Sequence, residues 1–138
     1  MPSELLIHAV HRGGMRVEAG DGVHTVSMDY PLQAGNAGLT PLQLLLASLA
    51  ACSANSLIAL LRRSDQQVRG LEVNARGLRR DEHPTVITEI TLEFVVRGGV
   101  EAAAVERALT LSEETICPVW NMLKNGTQIA TSFRIVEE

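Results

Sequence analysis

Two cysteines, Cys52 and Cys117, are the side chains of this 138-residue chain best suited to chemistry, and their contexts differ. Cys52 ends an apolar stretch that opens Thr40-Pro41-Leu42-Gln43-Leu44-Leu45, whereas Cys117 stands directly before a proline in Glu113-Glu114-Thr115-Ile116-Cys117-Pro118. The thiolate is the nucleophile and metal ligand among sulfur side chains, so two thiols invite redox chemistry. A fold that brings them together makes a dithiol. Residues 1–14 carry Glu4 and lack a basic start followed by an apolar run, so no secretory signal is expected and the cytoplasm is the expected location. Structural disulfides are rare there, which leaves catalysis, redox sensing, metal binding or plain burial as a small hydrophobe for each cysteine.

Other chemistries find less support. His8, His11 and His24 fall on strand-like segments and His83 in a turn, at spacings that fit no metal signature, so no metal and no cofactor is expected. Ser53 and Ser56 lack the flanking glycines of a nucleophile elbow, which removes the usual hydrolase reading. A net charge of −4 and an aromatic content of 3% offer neither a basic field nor stacking platforms, so no nucleic acid partner is expected. Arg62, Arg63, Arg76, Arg79 and Arg80 are offset by Asp65, Asp81 and Glu82 and read as solvated surface.

The elements that must position the thiols follow from periodicity. Leu5, Ile7 and Ala9, then Met15, Val17 and Ala19, then Val23 and Thr25 alternate with polar partners, with turns at Gly13-Gly14 and Gly20-Asp21-Gly22, which predicts a three-stranded meander. A loop over residues 30–39 leads to Thr40, where Thr40, Pro41 and Gln43 form a capping box. The helix it starts should run from Pro41 to about Arg63. Residues 44–61 are just long enough for a membrane span, but Ser48, Ser53, Asn55 and Ser56 interrupt them, and a core helix with no membrane partner is the expectation. Its nearly all-round apolar character predicts cover from a second subunit.

Leu71, Val73 and Ala75, then Val86, Ile90, Leu92, Phe94 and Val96, predict a hairpin turning at residues 81–84 and broken by Gly98-Gly99. Residues 100–116 read as a second helix that must stop near Cys117, because the residue before a proline is pushed out of the α region. A short helix over 118–124 and a last strand carrying Ile129, Thr131, Phe133 and Ile135 complete a single α+β domain over residues 1–138.

Taken together, the Thr40 to Cys52 segment and Ile116-Cys117-Pro118-Val119, in this order of strands and helices, resemble the OsmC/Ohr family. The resemblance implies antiparallel sheets around a long central apolar helix and a second helix, in an intertwined homodimer with its sites at the subunit interface. It implies reduction of hydrophobic organic hydroperoxides in peroxide defence, with Cys52 attacking, Cys117 resolving, and an external dithiol of the lipoyl or thioredoxin type restoring the pair. The family's supporting arginine comes from the early strands near a Gly-Gly turn, a position flanked here by Arg12 and Arg16. Its supporting glutamate follows the helix-starting proline, where this chain has Leu42 and then Gln43. A second reading therefore stands beside the first: a dimeric binding or redox-sensing protein without efficient peroxidase activity. For the peroxidase, helix residues near Cys52, with Trp120 and Met122, are the expected walls of the substrate pocket.

Overall fold

A computed structural model describes residues 3–30 and 36–137 of the chain. Its contacts fall into two compact units, residues 1–45 and 46–138. In the first, β1 (His8–His11), β2 (Val17–Gly20) and β3 (Thr25–Met28) form the expected antiparallel meander in that order. Gly13 and Gly14 take φ of 109° and 55°, conformations that cost glycine little, and so turn the chain from β1 into β2. The first strand is shorter than its alternation predicts: Leu5 and Ile7 lie before it, 91% and 69% exposed. The loop expected over 30–39 lies in part, at residues 31–35, outside the described residues. At its end Gln43 N–H donates to Thr40 Oγ1 at 3.0 Å and Thr40 N–H to Gln43 Oε1 at 2.9 Å, which is the capping box read from sequence.

That box opens α1 (Pro41–Arg63), whose body belongs to the second unit. β4 (Gln67–Arg79) and β5 (Ile87–Gly99) pair as the predicted hairpin. Gly98 does not end β5; with φ of 129° it lets the strand pass so close to β4 that a Cβ would overlap the Gln67 carbonyl. Then follow α2 (Ala102–Leu111), a π-helical turn (Ser112–Ile116), α3 (Pro118–Leu123) and β6 (Gln128–Val136). The expectation of purely antiparallel sheets needs correction here, because β6 pairs parallel to β5. The helices between β5 and β6 return the chain to the same end of the sheet, and a crossover of that kind allows a parallel neighbour. Leu49, Leu57 and Leu61 of α1, Leu92, Phe94 and Val96 of β5 and Val105 of α2 share one buried cluster. α1 is long and apolar enough to cross a bilayer, yet this face makes it the core helix of its unit.

The π turn corrects the reading of residues 100–116 as one regular helix. Cys117 N–H reaches back five residues to the Ser112 carbonyl at 2.9 Å, and Asn121 Nδ2 donates to the carbonyls of Glu113 and Cys117 at 3.1 and 2.8 Å. Within it Glu113 is half-buried and accepts from Thr131 Oγ1 at 3.2 Å. Burial foremost, with the neighbouring Glu114 charge, pushes its carboxyl up against the opposing hydrogen bond.

Two stability predictions follow from these contacts. Thr40→Ala removes the cap oxygen and should lower stability by about 1 kcal/mol in denaturant titration, whereas Thr40→Ser should change little. Because the folded Glu113 carboxyl is harder to ionise than the unfolded one, its contribution is lost as pH rises through the folded value. Glu113→Gln should therefore gain melting temperature over the parent as pH rises from about 4 to about 7, judged on the upward carboxyl shift; a gap that stays constant would refute this.

Candidate functional site

Both thiols lie in the second unit, and the fold brings them together. Cys52 is half-buried at mid-α1; Cys117 is fully buried at the N-cap of α3, with φ −80° and ψ 106°. They are free thiols, near enough that the Cys117 side chain acts on the Cys52 thiol. Pro118 has no N–H, so the first two backbone donors of α3 belong to Val119 and Trp120, and each addresses a sulfur. The Val119 N–H favours the Cys52 thiolate, and Trp120 N–H reaches Cys117 Sγ at 3.4 Å. Ser53, set aside above as a hydrolase nucleophile, belongs to this place in another way: its buried Oγ lies 3.7 Å from Cys117 Sγ, a contact that the sequence does not show. The available signal was a polar residue next to a cysteine in the middle of an apolar helix.

The electrostatics of the pair are unequal. Burial first, then the hydrogen bond and charge of Cys117, push the Cys52 thiol up, and the Val119 N–H only partly offsets them. Cys52 is thus the less buried of the two, and its surroundings favour the protonated form. Cys117 is shielded from solvent and supplied with donors. Such an arrangement can form and break a disulfide between the two sulfurs, provided that something else favours the Cys52 thiolate.

Arg12 and Arg16 belong to the first unit, where both engage one carboxylate that the sequence reading did not single out. Arg12 Nε donates to Glu18 Oε1 at 2.9 Å and an Arg16 terminal nitrogen to Glu18 Oε2 at 2.8 Å. The Arg12 hydrogen bond leads in holding the Glu18 carboxyl below its usual range, and the charges of both arginines add to it. Among the described residues, Arg16 Nε is buried without a hydrogen-bond partner. Leu42, where the resemblance leads one to expect a glutamate, has no charge to offer.

A cleft of about 830 Å³ opens beside Trp120 between the start of β6 and the end of β4. Arg76, Glu89 and Lys124 line it along with Ile90 and Ile129, and neither sulfur does. Trp120 is buried, whereas Met122 stands 80% exposed and lines no part of this cleft. Among the described residues, no three His, Cys, Asp or Glu side chains are grouped so as to hold a metal ion.

Residues 34–132 match the family model of OsmC-like proteins. Protein YhfA of Escherichia coli K12 is 34% identical over 114 residues, spanning 82% of this chain and 84% of that protein. Among solved structures, a hypothetical protein of Aquifex aeolicus superposes with a TM-score of 0.90 at 26% identity, covering 99% of each chain. An organic hydroperoxide resistance protein of Legionella pneumophila shares the fold at a TM-score of 0.71 and 18% identity, covering 95% of this chain and 96% of its own. On the extent of the family match and the identity to YhfA, the chain belongs to the OsmC-like family.

Proposed function

We propose that this protein reduces hydrophobic organic hydroperoxides through Cys52 and Cys117, as a cytoplasmic homodimer that draws electrons from an external dithiol. The observation that carries the reading is the neighbouring pair of free thiols, one half-buried on α1 and one buried at the start of α3, where Ser53 beside Cys52 reaches the Cys117 sulfur. Family membership and the likeness to a hydroperoxide resistance protein support it. In the first step the Cys52 thiolate attacks the peroxide O–O bond; its sulfur is oxidised to sulfenic acid, and the departing alkoxide takes a proton to leave as alcohol. Cys117 then bonds to the sulfenic sulfur, water leaves, and the external dithiol reduces the disulfide by exchange.

A cation is needed to favour the Cys52 thiolate against its raised pKa, and Arg12 or Arg16 is assigned that role by resemblance. The second reading, a dimeric binding or redox-sensing protein, is favoured by the pairing of both arginines with Glu18 and by Leu42. Consumption of cumene hydroperoxide in the presence of dihydrolipoamide separates the two readings, since only the first predicts turnover. The first also predicts that Cys117→Ala consumes about one equivalent and then over-oxidises, while Cys52→Ala consumes none. The reverse pattern would exchange the roles, and no turnover by the parent would leave the sensing reading.

Dimerisation is supported by α1, where Ala47, Ala51 and Ala59 stay exposed along a largely apolar helix. Small residues permit close approach of a second copy. Sedimentation at micromolar concentration should give the dimer mass, and a monomer would overturn this part of the proposal.

A further inference from the structure

A buried hydroxyl in the middle of an apolar helix is costly unless it is hydrogen-bonded. Ser53 is 3% exposed, and its hydroxyl faces the Cys117 sulfur across the interior. Other serines of α1 and its end behave differently: Ser56 donates to the Cys52 carbonyl at 2.9 Å and Ser64 to the Leu60 carbonyl at 3.2 Å, the usual backbone refuge of a helical serine. We propose that Ser53 is a positioning residue for Cys117, whose hydroxyl donates to the sulfur, favours its thiolate and holds it towards Cys52 for disulfide formation.

The geometry gives this a physical basis. With a thiol at Cys117 either partner can donate, but with a thiolate only the hydroxyl can. A fully buried thiolate without donors would be disfavoured by desolvation. Trp120 N–H supplies one donor from α3 and Ser53 supplies the second from α1, so the sulfur is held from two elements at once. Because Ser53 follows Cys52 in the chain, the helix turn that carries the attacked sulfur also carries the donor to the attacking one. In the step it serves, Cys117 loses its proton, its sulfur bonds to the Cys52 sulfenic sulfur, and the S–O bond breaks. The departing hydroxide takes up that proton and leaves as water; the Cys117 sulfur is oxidised and the sulfenic sulfur reduced.

The role in resolution rests on the peroxidase reading, but the donor role can be measured without it. In Cys52→Ala, Tyr30→Phe protein, which lacks the overlapping phenolate band, thiolate absorbance at 240 nm titrates Cys117 alone. Adding Ser53→Ala should raise the midpoint by about one pH unit, a tenfold loss of thiolate below it, whereas Ser53→Thr, which keeps the hydroxyl, should leave the midpoint within about 0.3 unit on the same scale. In protein with both cysteines, one equivalent of cumene hydroperoxide followed by trapping with dimedone reads the lifetime of the Cys52 sulfenic acid. Ser53→Ala should lengthen it about tenfold, in proportion to the lost thiolate, and Ser53→Thr should not. An unchanged midpoint in Ser53→Ala, or equal shifts in the alanine and threonine variants, would overturn the proposal, since loss of packing alone predicts no selectivity for the hydroxyl. If the parent forms no sulfenic acid, the peroxidase reading fails, and the titration still decides whether Ser53 is the donor.

Discussion

The junction of Cys117 and Pro118 is the constraint on which the site depends. A proline cannot accept the preceding residue in a helical conformation without a clash, so Cys117 is held extended at φ −80° and ψ 106°. The helix before it closes with a five-residue hydrogen bond to Ser112, and the helix after it starts afresh with donors unclaimed by its own carbonyls. The Trp120 N–H among them reaches the Cys117 sulfur, and that of Val119 favours the Cys52 thiolate. Asn121 ties the carbonyls of Glu113 and Cys117 together, so the side chains on either side of the junction keep one geometry. The π-helical turn is thus the local distortion that aims a buried sulfur at α1, in keeping with the concentration of such turns at functional sites.

The opposite wall is set by the packing of α1. Leu49, Leu57 and Leu61 anchor one face of the helix in the core of its unit, and that rotation presents Cys52 and Ser53 together at the buried thiol. Hydrophobic burial is indifferent to chemistry, yet here it fixes which serine meets the sulfur and which returns to the backbone. The same burial works against reactivity, because removing Cys52 from water favours its protonated form. A site built only from these residues has donors for two sulfurs and no charge to ionise the accessible one.

The meander carries a charge cluster of its own. Two guanidinium groups share the single carboxylate of Glu18, so the cluster carries a net positive charge and retains N–H groups beyond those that Glu18 accepts. Glu18 comes from the same hairpin as the arginines, so their mutual orientation is set within one short sheet. These arginines therefore have a carboxylate partner within their own hairpin, although residue 42 is a leucine.

Much of this was legible in the sequence, because the deciding forces were local. The capping box at Thr40 and Gln43, the length of α1, the meander, the hairpin of β4 and β5 and the break at Cys117 each follow from propensity, periodicity or proline geometry within a few residues. The two cysteines could be named for the same reason. What the sequence could not contain was set by contacts between distant segments: the parallel pairing of β6 with β5, the passage of Gly98 against Gln67, the exposure of Met122, and the common partner of Arg12 and Arg16. Ser53 is the sharpest case. Its sequence neighbours explain only that it sits in an apolar helix, where a hydroxyl is a burden. Its partner is a sulfur on another element, and only tertiary packing, which decides how α1 is rotated against the Cys117 junction, turns that burden into a hydrogen bond.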